Sequence, residues 1–313
     1  MLLKKLYNCI DSGSEFCPCD LADTLDCISC SHLRGEDFCD CNWNGVCILY
    51  EYYMNNMKSR GSRSVYDGLV IDKSEIEEDL FLLKIKTEED LVEELNNTGS
   101  YVFINKSNNP HYNAPMSVLD IDGDSIYIVY YEMGPKTKGI KKGEKLNIKG
   151  PYWNGIIGKT KLSEVKNSSI LIYARGIGQS AIVIPIKKLK NKNNEIFLFL
   201  DKGKTESLYC LKFIKDFSLE IKEINLFTEL GKEILLHFIK THPIDIVISA
   251  GAEMAHREIK SLLDELESQV EWFTTNNNIL CCGEGICGSC IRKTNNGDRV
   301  KTCKTIIDPV NFY

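Results

Sequence analysis

Residues 281–290 read CCGEGICGSC, and one more cysteine follows at 303. Taken from the second thiol, the set is Cys282, Cys287, Cys290 and Cys303, a C-x4-C-x2-C-x12-C pattern. The first three have the spacing of a plant-type [2Fe–2S] loop, in which one tight turn grips the cluster and a thiolate from further along closes it. Gly283, Gly285 and Gly288 suit such a turn, because glycine reaches conformations that cost other residues and lets amides face the inorganic sulfurs. Zinc is the plainer alternative, but zinc sites usually carry two C-x2-C pairs and this stretch has one. Cys281 reads as a bystander able to stand in for Cys282.

The rest of the chain bounds what surrounds that loop. At 313 residues, two or three domains are expected. A hydrophobic share of 43% and a charged share of 26% are ordinary for a globular protein. A net charge of −6 with a pI near 5.6 argues against nucleic acid as a partner. The short basic run RGSR at 60–63 reads as a solvated linker. No run of about 18 apolar residues is present, so no membrane span is expected. The opening MLLKKLYNCIDSGSEF lacks a secretory pattern, so a cytoplasmic protein is expected. In a reducing compartment, fourteen cysteines point to metal or redox work rather than disulfides.

Eight of the fourteen fall in the first 47 residues: Cys9, Cys17, Cys19, Cys27, Cys30, Cys39, Cys41 and Cys47. So many thiols in so little apolar sequence suggest a module, residues 1–60, folded around metal. Cys17, Cys19, Cys27, Cys30, Cys39, Cys41 and Cys47 are the candidate ligands, and the spacing leaves both a further iron–sulfur cluster and zinc open, with a disulfide knot third. Asp20, Asp26, Asp37 and Asp40 read as turn and cap residues, and His32 as a surface histidine. Cys210, alone in an apolar stretch, reads as a small core residue.

Between these two cysteine groups the pattern changes twice. Residues 69–157 hold short alternating strands (DLFLLKIK, SYVFIN, SIYIVYYEM, KLNIKG), turn signals at 121–124 and 141–144, and one helical insert at 88–97, which suggests a small β-barrel. From 158 to 269 strands alternate with helices. ILIYA (170–174), EIFLFLD (195–201) and DIVISAG (245–251) are apolar runs suited to buried parallel strands. Helices are expected from Ala181, around 205–215, and over 228–242 and 252–268, with a short strand near 219–224. The fold class is therefore α/β plus all-β: a β-barrel, a doubly wound parallel-sheet nucleotide domain, a C-terminal [2Fe–2S] lobe over 270–313 and the cysteine-rich module.

In RGIGQS, Gly176 and Gly178 stand where a strand gives way to a helix, a place suited to phosphate. SAGAEMA, with Gly251, is a second small-residue loop after a second central strand, and the pair favours a dinucleotide more than either alone. Arg175 is balanced between phosphate partner and surface residue. Tyr130, Tyr131, Tyr152 and Trp153 are aromatics that either flank a flat ring or pack. His237, His242 and His256 read as caps or solvent-facing residues, and no acid–base or nucleophile constellation stands out.

Together these motifs resemble the electron-transfer subunits of two-subunit dihydroorotate dehydrogenases and the small subunits of sulfide dehydrogenases, within the ferredoxin–NADP reductase superfamily. The resemblance covers about residues 70–313. KTCKTIIDPV is similar to the family's C-x-D-G-P-V ending, and GPYWNGI keeps Gly150, Pro151, Asn154 and Gly155 of its G-P-L-G-N-G-F. By that likeness APMSV puts Pro115, Met116 and Ser117 beside FAD, and GPKTKGI puts Gly134 and Thr137 at the flavin phosphates. ARGIGQS and SAGAEM take the nicotinamide. Ala114 stands where the family has an arginine, and Lys136 where it has a glycine; Lys136 and Lys138 are candidates to restore the missing charge. The implied function is an electron-transfer flavoprotein subunit that passes electrons between NAD(P)H, FAD and a [2Fe–2S] cluster, to or from a partner oxidoreductase subunit or ferredoxin. The alternatives are a self-sufficient NAD(P)H reductase and a metal-stapled regulatory or scaffold module that has lost flavin.

Overall fold

The computed structural model describes residues 7–109 and 111–313. The first six residues of the cysteine-rich module, and of the opening stretch read against secretion, lie outside them. The chain begins with β1 (Asn8–Cys9), then a helix at Asp20–Asp23, a 3₁₀ turn at His32–Arg34 and a helix at Ile48–Met54. Cys17, Cys27 and Cys30 join Ala22, Leu33 and Ile48 in the small core of this segment. Thiols thus make up half of that core, as expected of a module with too little apolar sequence to hold itself together.

Seven strands follow: β2 (Val65–Glu77), β3 (Leu80–Lys86), β4 (Tyr101–Lys106), β5 (Ala114–Ser117), β6 (Asp120–Asp122), β7 (Ser125–Tyr131) and β8 (Lys145–Tyr152). They pair antiparallel in the order β5-β4-β8-β2-β3-β7-β6. The link between β5 and β6 bonds to both edges, Val118 N–H to the Ser100 carbonyl and Leu119 N–H to the Tyr127 carbonyl, which closes the barrel. Its inside is filled by Leu83, Ile85, Ile104, Ile128 and Ile148, and the helix Glu89–Leu95 plugs one end with Leu91, Val92 and Leu95. The first barrel strand begins at Val65, ahead of the expected 69, because Val65–Leu69 pairs with β8 before the strand meets β3 at Leu69.

The second sheet contains β9 (Ile156–Ile157), β10 (Ser169–Arg175), β11 (Glu195–Asp201), β12 (Glu220–Glu223), β13 (Ile246–Ala250) and β14 (Glu271–Thr275), in the order β12-β11-β10-β13-β14-β9. All pairs are parallel except β9 with β14, so Ile156–Ile157, expected at the barrel's end, belongs to this sheet. Strand β10 is buried on both faces. Ile170, Ile172 and Ala174 pack toward the helix Val183–Lys190, while Leu171 and Tyr173 pack toward the helices Glu229–Thr241 and Glu253–Glu265. A continuous apolar run is what such two-sided burial requires. The helix expected at 205–215 shrinks to one turn, Leu211–Ile214. Thr205 Oγ1 donates to the Lys202 carbonyl at 2.7 Å, and such local bonds compete with helix formation.

The last lobe is a hairpin, β15 (Ile291–Lys293) with β16 (Arg299–Lys301), followed by β17 (Thr305–Ile306), which pairs with β1. The hairpin gives the twelve-residue gap its meaning. It leaves from Cys290 and returns at Cys303, with the Thr302 N–H on the Cys290 carbonyl at 3.2 Å. Among the described residues, no helix is long and apolar enough to cross a membrane.

Candidate functional site

The four late thiols meet as two pairs. Cys290 and Cys303 share a hydrogen bond at 3.2 Å between their sulfurs, both buried. Cys287 meets Ser289 Oγ at 3.3 Å and the Cys282 sulfur accepts the Glu284 N–H at 3.3 Å, and Cys282 acts electrostatically on both Cys287 and Cys303. Two irons with two thiolates each call for two pairs joined in this way. Cys290 ionises first, lowered to about 6 by its bond with Cys303, whose own thiol is pushed up by the same bond. The Cys287 thiol is raised by burial, yet bonds from Ser289 and Cys282 bring it down to about 7. Gly283, Gly285 and Gly288 all have positive φ, 71° at the first and 75° at the other two. Among the described residues, no three His, Cys, Asp or Glu side chains surround a single metal-ion position. Cys281 is exposed, and Cys210 is a buried core thiol pushed up to about 12 by desolvation.

Four buried charges surround the loop. Arg63 Nη2 meets Asp11 Oδ1 at 2.7 Å and Arg63 Nη1 meets Glu284 Oε2 at 3.1 Å. Lys304 Nζ meets Glu284 Oε2 at 2.9 Å and also bonds Asp11. Tyr152 donates to Glu284 Oε1 at 3.0 Å, and the Arg63 guanidinium lies 4.2 Å from the Phe16 ring centre and 4.5 Å from that of Tyr152. Burial alone raises the Asp11 and Glu284 carboxyls, but Lys304 and Arg63 hold both below the ordinary carboxylate range. The quartet joins the cysteine-rich segment (Asp11), the entry to the barrel (Arg63), the thiol loop (Glu284) and the hairpin's exit (Lys304). This corrects the reading of RGSR as a solvated linker: Arg63 is 3% exposed. Nothing in its local sequence marks it, since its partners lie 52 and 221 positions away.

A cleft of about 430 Å³ opens where the barrel meets the carboxyl ends of the parallel strands. Pro115, Met116 and Ser117 from β5 line it on one side, with Tyr101, Tyr130 and Tyr131. Gly178, Gly251 and Thr275 line it on the other. A Cβ on Gly178 would lie 2.5 Å from the Ala250 carbonyl, so the two small-residue loops are in direct backbone contact. Among the described residues, the buried hydroxyls of Tyr101 and Tyr130, both in the cleft lining, have no hydrogen-bond partner. Tyr101 stacks on Tyr152 with ring centres 5.1 Å apart, and Tyr152 donates to the Cys282 carbonyl at 3.2 Å. Leu280, two residues before Cys282, also lines the cleft. The cleft and the thiol loop share a wall.

Other expected site residues fall elsewhere. Gly155 is at the cleft, its N–H on the Gly99 carbonyl at 2.9 Å. Gly150 is buried against Val102. Asn154 is buried with its amide on the Thr302 and Thr305 carbonyls, so it braces Cys303 rather than facing the cleft. Gly176, at φ +56°, starts the 3₁₀ turn Gly176–Ala181. Gly134 is exposed and Thr137 buried on the turn Gly134–Thr137, outside the cleft walls; Thr137 Oγ1 donates to the Met133 carbonyl. From the same turn, Lys136 reaches the Asn113 carbonyl at 2.7 Å, beside Ala114. Arg175 is paired with Asp201 at 3.1 Å, so its charge is already neutralised. Trp153 packs on Phe16, away from the cleft.

His256, expected at the surface, is fully buried. Its ring bonds Ser249 Oγ at 2.9 Å, Thr275 Oγ1 at 3.1 Å and Asn277 Nδ2 at 2.9 Å, which fixes one cleft wall. Desolvation, against the pull of Glu253 and with the push of Arg292, lowers it to about 4. The unfolded chain binds a proton below about pH 6.5 that the folded chain refuses until about pH 4. Stability is therefore full above that window and falls as pH drops through it, by about 2–3 kcal/mol. Urea midpoints at pH 7 and 4.5 check this, and His256→Gln flattens the difference.

No family model matches the chain. The barrel, the parallel sheet and the cleft between them define the ferredoxin–NADP reductase type of fold, and solved structures agree. An NADH-dependent reduced ferredoxin–NADP oxidoreductase, described for flavin-based electron bifurcation, superposes with TM-score 0.61 at 20% identity, over 75% of this chain and 85% of that one. The CS-b5R domains of human Ncb5or in the NAD+ form give 0.52 at 16% identity, over 68% and 70%. In sequence, the chain is 25% identical over 247 residues to the electron transfer subunit of dihydroorotate dehydrogenase B (NAD(+)) from Clostridium perfringens (strain 13 / Type A), covering 76% of this chain and 93% of that subunit. The resemblance read from the motifs is upheld, and by it the chain is an oxidoreductase.

Proposed function

We propose that the chain is the electron-transfer component of a flavin-dependent oxidoreductase, working with a separate catalytic subunit or a ferredoxin. The chemistry these groups would supply when bound is hydride donation from NAD(P)H, conversion to single electrons at FAD and one-electron acceptance at a [2Fe–2S] cluster. The observation that carries this reading is the shared wall: Tyr101 lines the cleft, stacks on Tyr152, and Tyr152 holds the Cys282 carbonyl. Pro115, Met116 and Ser117 would hold the flavin against the barrel. Gly178 and Gly251 would let the nicotinamide approach backbone. Cys282, Cys287, Cys290 and Cys303 would hold the cluster. Four soft thiolate donors at this spacing fit that group. With no nucleophile or acid–base pair in the cleft walls, substrate chemistry falls to the partner, and the amino-terminal thiols form a further metal-binding module.

Ala114 removes the arginine that the resemblance expects, and Lys136, anchored beside it, supports the role of replacement cation. Lys136→Ala is expected to weaken FAD binding by roughly tenfold or more, the worth of a hydrogen bond to a charged group, read as flavin lost on gel filtration. The reading as a whole is tested by iron, sulfide, zinc and flavin quantification on one anaerobic sample. Protein without iron and flavin overturns it, and zinc without flavin favours the scaffold alternative.

A further inference from the structure

Four of the eight amino-terminal thiols share one pocket. Cys9, Cys17, Cys19 and Cys27 line a small enclosed cavity, with apolar walls that include Leu21 and Ile48. Cys30, Cys39, Cys41 and Cys47 do not line it: the Cys39 and Cys41 sulfurs are 3.9 Å apart, and Cys30 packs beside Cys17 and Cys27 with its N–H on the Cys27 sulfur at 3.4 Å. The sequence carries the same division. The inner set reads C-x7-C-x-C-x7-C and the outer set C-x8-C-x-C-x5-C, each centred on a C-x-C pair.

We infer that Cys9, Cys17, Cys19 and Cys27 form a single four-thiolate site for an iron–sulfur cluster, separate from the outer four. The inference rests on reading the amino-terminal thiols as metal ligands and is independent of the flavin. The Cys27 sulfur accepts the Cys30 N–H at 3.4 Å. Four soft thiolate donors lining one apolar, water-poor pocket are the surroundings a buried cluster needs. Metal also explains why so many thiols occupy the core of a module this small.

The site adjoins the carboxyl-terminal thiols. Cys9 is paired across the short sheet with Thr305, two residues past Cys303, and Ile10 N–H meets the Lys304 carbonyl at 2.7 Å. Leu21, in the pocket wall, lies against Gly285 of the thiol loop. Cys19 lies within electrostatic reach of both Lys304 and Glu284. The inner site is therefore the neighbour of the carboxyl-terminal thiols on the side away from the cleft.

The test uses the full chain purified anaerobically, with iron, acid-labile sulfide and zinc counted and electron paramagnetic resonance recorded after dithionite reduction. Wild type is expected to hold clearly more than the two irons that the carboxyl-terminal set accounts for. Cys19→Ser is expected to lose about four irons, or about two if the cluster is the smaller type, with one resonance signal, while flavin and the carboxyl-terminal signal stay. Cys39→Ser is expected to keep that iron. Should Cys19→Ser be insoluble, Cys9→Ser on its two-residue strand takes its place. Wild-type iron of no more than about two per chain, loss of zinc instead of iron in Cys19→Ser, or equal iron loss in Cys39→Ser overturns the inference. Loss of flavin binding alone leaves it standing and counts against the proposed function instead.

Discussion

Cys287→Ser, in the full chain purified without oxygen, is expected to lose about two irons together with the visible absorption they carry, while flavin stays bound. The reason lies in where Cys287 sits. It is exposed at the middle of the thiol loop, and its side chain contacts Ser289 and Cys282 and no part of the core. Its replacement therefore costs little in folding, within the range of about ±0.5 kcal/mol usual for surface changes. On the proposed function it removes one of the thiolates that would share the irons, and serine offers a hard, mostly protonated oxygen in place of a soft sulfur. The cleft is untouched, because its walls come from β5, the Gly178 turn and the Gly251 loop. Flavin reduction by NADH should thus persist while single-electron acceptors are no longer served. Cys281→Ser, one residue outside the set, should behave as wild type. A Cys287→Ser protein with undiminished iron would remove the [2Fe–2S] assignment and with it the relay.

Much of this was legible in the residues, for reasons that differ by element. ILIYA at 170–174 is apolar on both faces because β10 is central and covered by helices on each side, and that burial is written directly into the pattern. The approach of Cys290 to Cys303 was legible because a hairpin spans the twelve-residue gap between them, and the glycines of the loop take the positive φ that their spacing suggests. His256 and Arg63 were not. A histidine on an amphipathic helix looks the same whether it meets water or Ser249 and Thr275, and an arginine between serines shows no sign of two carboxylates brought in from far along the chain. Asn154 was read as part of the cleft because it lies in GPYWNGI, yet its amide points the other way, toward Thr302 and Thr305. Local pattern reports which face is apolar; it does not report which distant group arrives at a polar one.

The charge quartet should give the largest loss of stability of any single change outside the cysteines, and Lys304→Met exposes it. Lys304 is fully buried, and its ammonium survives there because Asp11 and Glu284 outweigh the desolvation that would otherwise discharge it. Taking the cation away leaves two buried carboxylates facing Arg63, with the more distant Lys149, 3.9 Å from Glu284, as the other cation. Breaking a buried ion pair from one side costs about 3–5 kcal/mol, because the remaining charge has neither water nor a partner. A surface pair such as Lys86 with Asp124 has no comparable effect, since water replaces what is lost. The double variant Asp11→Asn with Lys304→Met restores neutrality, one cation facing one carboxylate. It should recover a good part of the loss, so that the two changes together cost less than their sum. Denaturant midpoints of the metal-loaded chain measure all three. Because the quartet ties the thiol loop to the cysteine-rich segment and to Tyr152, Lys304→Met should also speed iron release on chelator challenge. A Lys304→Met protein with the wild-type midpoint would mean that the four charges are solvated in solution and that the thiol loop is held by its hairpin alone.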